Sequence, residues 1–277
     1  MIERALNKSV PPLLLLLLLG ACGSAPPRQP AVMEQVKKAD QAAYRAVRDG
    51  DLLRARELFR QSMLLNQSLD NLPASAMAAI NLSSVNHKLG DDAAALALLD
   101  HVLSDAAPLY PAELRGTAAF RKAIILVDSG KPVEAETALQ SAAMECKQQC
   151  AYAPGMNNLR ARLALDKGDY PAALTLSKSV INASAEKEEL ANAQRTAATA
   201  ESALGQHDAA LTHYLAALEL DKELGQSTRI VVDLQGAAVA MEKLGRKAEA
   251  EAYVRRAMAA AEAARSLPGK AGKNSQH

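Results

Sequence analysis

Residues 79–91 read AINLSSVNHKLGD. Asn81-Leu82 and a small Ser83 stand ahead of Lys88-Leu89-Gly90-Asp91. Glycine ends a helix by taking the left-handed conformation that a Cβ would penalise. An Asp directly after it offers an oxygen to the free amides of a following helix. The segment predicts one helix, a tight turn at Gly90 and the start of a second helix.

The same punctuation recurs at Gly50-Asp51, Gly130-Lys131, Gly168-Asp169, Gly205-Gln206 and Gly245-Arg246. With Gly90-Asp91 in its place the successive spacings are 40, 40, 38, 37 and 40 residues, a period that marks a solenoid. Five residues after each Gly stands an Ala: Ala55, Ala95, Ala135, Ala173, Ala210 and Ala250. Seven residues before each Gly stands a small residue: Ala43, Ser83, Ala123, Ala161, Ala198 and Ala238. Nine residues after it come Phe59, Leu99, Leu139, Ser177, Tyr214 and Val254, on the helical face of the Ala. Small and large side chains therefore alternate along a seam between paired helices.

Composition agrees. Apolar residues make up 49% of the 277, yet only 3% are aromatic and there is no Trp. About one residue in five is Ala, which has the best helix propensity and lets helix axes approach closely. Runs of alternating β-branched and aromatic residues are absent, so the fold class is all-α. The net charge is +1. Residues 1–21 carry Arg4, Lys8 and Glu3, and the chain beyond them is balanced. An evenly mixed, neutral chain gives no electrostatic basis for nucleic-acid binding.

On these residues the chain resembles the tetratricopeptide repeat (TPR) family, whose order is small residue, Gly, Ala, aromatic and small residue. AINLSSVNHKLGD is similar to the first helix of such a repeat. DAALTHYLAALEL at 208–220 is similar to the second, with Ala210, Tyr214 and Ala217. The resemblance covers residues 31–267 and implies a right-handed superhelix, an α-solenoid of six antiparallel helix pairs. The chain departs from the family in its period, 37–40 against about 34, and in Ser177 and Val254 at aromatic places. Longer connections, such as SDAAPLYPAEL, or longer helices would absorb the difference. Pro73, Pro108, Pro111 and Pro154 are expected between repeats, and Pro132 and Pro171 in the first turn of second helices, where a missing N–H costs little.

Ahead of the repeats, Arg4 and Lys8 precede an apolar run from Val10 to Leu19, and small residues follow. This is the order of a secretory signal. The run is about half the length that a membrane span needs. Leu19-Gly20-Ala21-Cys22 resembles the bacterial lipobox. That resemblance implies a diacylglycerol on the Cys22 sulfur, cleavage just before it and acylation of the new amine. Gly23, where Asp would retain such a protein, implies transfer to the outer membrane of a Gram-negative cell, with the chain on its periplasmic face. Residues 1–21 are then the signal peptide and 22–30 a flexible tether. Residues 268–277 form a disordered tail without apolar period. The alternative is an ordinary signal peptide with an incidental Cys22.

The two remaining cysteines, Cys146 and Cys150, form an even pair in an oxidising compartment. Their spacing in MECKQQC suits a disulfide only at a frayed helix end, and two free thiols are the alternative.

Catalytic signals are few. Ser184 and Lys187 satisfy a bare S-x-x-K pattern, but its partner motifs are missing and a helix start explains both residues. His207 and His213 stand six apart on different helical faces, a poor arrangement for a shared metal. No phosphate-binding or dinucleotide loop occurs. The chain is expected to have no catalytic residue, cofactor or metal. The minority alternative is an accessory hydrolase using Ser184 and Lys187.

The TPR resemblance implies a partner peptide or helix laid along the concave wall of the first helices. Counting back from each Gly places Tyr44, Ser84, His87, Phe120, Asn158, Arg162, Arg195, Thr199 and Gln235 on that wall. Asn158, Arg162 and Arg195 form the cluster that family members use to grip a terminal carboxylate. The sequence therefore reads as a non-enzymatic, lipid-anchored adaptor that holds other envelope proteins, in pilus secretin, barrel or peptidoglycan machinery. A self-associating module pairing through the Ala-rich last helix is the other reading.

Overall fold

The computed structural model describes residues 31–104, 109–146 and 150–266. The signal, Cys22 and the tether, Pro108 and the tail beyond residue 266 lie outside the described residues. Twelve α-helices and no strand occur among those described. The first pair is α1 (Ala31–Arg48) and α2 (Leu52–Ser68), followed by α3 (Leu72–Lys88) and α4 (Asp92–Leu103). The middle pairs are α5 (Ala112–Asp128) with α6 (Pro132–Glu145), and α7 (Ala153–Asp166) with α8 (Tyr170–Ala183). The last are α9 (Lys187–Ala203) with α10 (His207–Glu223), and α11 (Ser227–Lys243) with α12 (Lys247–Ser266).

Each pair is closed by its glycine. All six turn glycines have positive φ, from 69° at Gly130 to 82° at Gly90. The Asp that follows three of them caps the next helix. Asp51 accepts from the Arg54 amide, Asp91 from Ala94 and Asp169 from Ala172, each at 3.1 Å. Gly225 and Asp70 take the same positive φ between repeats. Pro73 and Pro154 stand inside the first turns of α3 and α7 rather than in the connections. A first-turn N–H has no intrahelical acceptor, so proline replaces it there without loss.

The repeating small residues lie in the core. Every Ala five places after a turn glycine is buried, as is every small residue seven places before one. The large residues nine places after pack against the following pair: Phe59 with Leu82 and Val85, Leu99 with Leu114 and Ala118, Tyr214 with Ala237. Gly236 is where Tyr214 needs room, since a Cβ there would come within 2.3 Å of the ring.

The stride of about 40 residues is reached in two ways. Around α2 and α3, helices of 17 residues are joined by three-residue turns. Around α4 and α6 the second helix shrinks to 12 and 14 residues and the connection after it lengthens. The α6–α7 connection is closed by a Cys146–Cys150 disulfide, with Cα atoms 5.4 Å apart, just past the end of α6 at Glu145. Arg115 of α5 grips Glu145 through two parallel hydrogen bonds of 2.9 and 2.8 Å and also donates to the Tyr110 carbonyl at 2.8 Å.

Successive first helices touch one another, α3 with α5, α5 with α7, α7 with α9 and α9 with α11, whereas second helices do not to this extent. The first helices therefore line the inner, tighter side of the solenoid.

Candidate functional site

The inner wall is stitched by side chains. One polar contact joins each first helix to the next, and five of the nine wall residues singled out above take part. Asn81 of α3 donates to the Tyr44 hydroxyl of α1 at 2.8 Å. His87 of α3 contacts Asp128 of α5 at 3.1 Å, and Arg162 of α7 donates to the same Asp128 at 2.6 Å. Asn158 of α7 donates to the Glu189 carbonyl and carboxylate of α9, at 2.9 and 2.6 Å. Arg195 of α9 donates to Asp233 of α11 at 2.7 Å.

His87 is the hub of the first half. Its other nitrogen faces Asp92 of α4 at 2.6 Å, and the Ser129 hydroxyl donates to the second oxygen of Asp92 at 2.9 Å. Partial burial opposes a charge on the ring, but hydrogen bonds to Asp92 and Asp128 outweigh it and raise the His87 pKa above 6.5. A neutral imidazole has only one N–H and would leave one of the carboxylates without a donor. The same contact, with the Ser129 hydroxyl, holds Asp92 below the ordinary carboxylate value.

Arg195 is the hub of the second half. It lies between two fully buried carboxylates, Asp233 of α11 and Asp221 of α10, and bonds both, with a longer contact to Asn192 at 3.3 Å. One oxygen of Asp221, Oδ1, has no partner. Two acids with one guanidinium leave a net negative charge out of water. Burial pushes Asp233 up to about 6; Arg195 pulls against this and the neighbouring Asp221 adds to it. A third buried acid, Glu201 of α9, faces the outer side, 3.3 Å from Lys178 and 3.6 Å from His213.

The remaining wall positions divide. Phe120 is buried, stacked on Tyr152 at 5.7 Å, beneath the wall rather than on it. Asn158 is also buried. Ser84 turns its hydroxyl to the Ile80 carbonyl at 3.1 Å. Thr199 donates to the Arg195 carbonyl at 2.9 Å and meets the Tyr214 hydroxyl at 3.2 Å. Gln235 is exposed, and so is Tyr44, whose ring meets Phe59 edge-on at 5.3 Å. The structure does not bring Asn158, Arg162 and Arg195 together as open cations. Each is engaged by an acid of a neighbouring helix, because the wall repeats acids at nearly the same stride as bases.

The same register puts Met77 of α3 and Val232 and Val239 of α11 on the inner line, all exposed. They went unselected because the search for wall residues favoured polar and aromatic types. The wall thus has apolar ends and an ion-paired middle.

Ser184 sits in the α8–α9 turn, where its hydroxyl accepts from the Glu186 amide at 3.2 Å. The Lys187 ammonium is 2.7 Å from Glu223 of α10. Among the described residues no group of three or more His, Cys, Asp or Glu side chains is arranged to hold a metal ion. No described helix is long and apolar enough to cross a membrane.

By sequence the chain matches no protein-family model and no curated protein. Its fold matches solved structures. A tetratricopeptide repeat protein from Parabacteroides merdae superposes with a TM-score of 0.53 at 17% identity, over 82% of this chain and 80% of that one. BtubC from P. vanneervenii gives 0.59 at 14% identity, over 90% and 98%. A Rap protein complexed with competence and sporulation factor gives 0.59 at 16% identity, over 83% and 67%. The fold is a TPR-like solenoid. The register of glycine, alanine and aromatic residues read from the sequence is the register of its helix pairs.

Proposed function

We propose that this protein is a non-enzymatic scaffold that holds a segment of another protein along the inner wall of its solenoid. The observation that carries this reading is the wall itself. Its bases are neutralised by acids of adjacent repeats, while Tyr44 and Met77 at one end and Val232 and Val239 at the other stay exposed. Such a surface suits an amphipathic helix or extended peptide with apolar anchors at both ends better than a carboxylate clamp. Among the structural neighbours, the Rap protein was solved with a bound factor.

The lipobox resemblance supports a location. Acylation at Cys22 would tether the solenoid through residues 22–30 to the outer membrane, facing the periplasm, where it supports assembly of an envelope complex. Tethering concentrates scaffold and partner on one surface and strengthens weak binding without new contacts.

Photo-crosslinkers at Thr199 and Val239 should trap one and the same set of envelope proteins in intact cells. A crosslinker at Val133, exposed on second helix α6, should not. Equal trapping from both faces would refute the wall as the binding surface. Separately, Cys22→Ala should abolish lipid labelling and release the protein from membranes; unchanged labelling would refute the anchor and leave the wall untouched.

A further inference from the structure

Every second helix but the last is covered along one line by the next first helix. Nine residues past the turn glycine, Phe59, Leu99, Leu139, Ser177 and Tyr214 are all buried. Thirteen residues past it, Met63, Leu103, Ala143, Ile181 and Leu218 are buried or half-buried. Helix α12 carries Val254 and Met258 at these two places, and they are 45% and 67% exposed. Beside them Ala257 and Ala261 floor an open depression of about 450 Å³, bordered by Gln235 and Arg265. The face that accepts a helix five times within the molecule is open at its C-terminal end.

The N-terminal end of a second copy does not fit there. Helix α3 docks on α2 through Leu82 and Val85. The same places on α1 hold Ala42 and Arg45, and Lys38 replaces the buried Ala78. Docking α1 on α12 would strip water from Lys38 and Arg45, a cost that apolar packing on this face does not offset.

The charges on α12 select a different occupant. Along its exposed stripe the order is Glu251, Arg255, Met258, Glu262, Arg265. Reversed end for end about Met258, this order is its own electrostatic complement. Glu251 lies seven residues before Met258 and Arg265 seven after; Arg255 lies three before and Glu262 four after. Antiparallel pairing of two copies opposes Glu251 to Arg265 and Arg255 to Glu262 at both ends, with Met258 on Met258 at the centre. Parallel pairing opposes like charges. The Glu251–Arg255 contact within one helix is 3.8 Å long and exposed, so it is weak and free to exchange. Ala257 and Ala261 let the second backbone approach, and the flexible Met258 of the partner fills the depression.

We propose that the protein self-associates through α12, two copies pairing antiparallel about Met258. This is independent of what the inner wall binds. The stripe is about 21 Å long, which places the association among weak, concentration-dependent ones.

Sedimentation of the full-length chain over a range of concentrations tests the pairing. Wild type should shift from monomer to dimer, and Met258→Glu should remain monomeric with unchanged helicity. Arg255→Glu should weaken the dimer by at least about tenfold, since symmetry introduces the repulsion twice. Arg255→Glu combined with Glu262→Arg should restore it. On a Cys22→Ala background, Met258→Cys should crosslink to itself through a short thiol-reactive linker and Glu251→Cys should not. A monomer at every concentration, a dimer indifferent to Met258→Glu, or self-crosslinking at position 251 would overturn the proposal.

Discussion

Replacing Asp233 by Asn should change how the stability of the last helix pair depends on pH. In the native state this carboxyl is buried beside Asp221 and sits at about 6, against an ordinary value near 3.8. Because the native value is the higher one, its stabilising share is complete below about pH 3.8 and is lost as pH rises through 6. The difference corresponds to about 3 kcal/mol once both states are ionised. Asn mimics the protonated acid: its oxygen still accepts from Arg195, and its amide donates toward Asp221. The Arg229–Glu188 pair on the same two helices, at 3.4 Å, is retained. The stability of Asp233→Asn relative to wild type should therefore rise by about 2.5 kcal/mol between roughly pH 4 and pH 7.5. Solenoid ends open separately from the rest, so amide exchange in α11 and α12, corrected for intrinsic rates, is the suitable assay. A flat difference, or one that falls with pH, would refute the account of a buried surplus acid.

Three further outcomes follow from the packing. Gly236→Ala gains up to about 1 kcal/mol of helix propensity but drives a Cβ into the Tyr214 ring, so urea unfolding should show a net loss of about 1–3 kcal/mol. His87 should titrate above 6.5 by NMR, and Asp128→Asn should lower that value by removing one of the two carboxylates that favour the cation. Thermal stability should in the same way lose the His87 contribution as pH rises through its native value. Cys146→Ser with Cys150→Ser opens a very short loop, so it should cost no more than about 2 kcal/mol in denaturant unfolding. Its exchange effects should be confined to the α6–α7 junction.

Much of the fold is legible in the sequence because its determinants are local. A turn glycine, an Asp cap and an Ala seam each act within one repeat, and a periodic chain displays each of them six times. The inner wall is less legible because its determinants are relations between repeats. Arg162 and Arg195 look like open bases until each is compared with the residue about one stride away: Asp128 is 34 residues before Arg162, and Asp233 is 38 after Arg195. The contacts of Tyr44 with Asn81, 37 apart, and of His87 with Asp128, 41 apart, obey the same rule. Reading side chains one stride apart would have exposed the stitching. The Leu224-Gly225-Gln226 turn was also readable, as a copy of Leu204-Gly205-Gln206 outside the main register. Asp221 offers no such signal, since it comes from a second helix and reaches Arg195 only through the superhelical turn.

The unequal division of a nearly constant stride separates what in this molecule may vary from what may not. Between α4 and α5, chain is transferred from helix to connection, yet α5 still starts 40 residues after α3. First helices are thereby indexed like marks on a ruler, and the stitching on their inner edge tolerates no slippage. Length is free to change on the outer rim. Inserted or exchanged segments after α4 should therefore alter what the solenoid displays to its surroundings while leaving the spacing of its inner contacts unaltered.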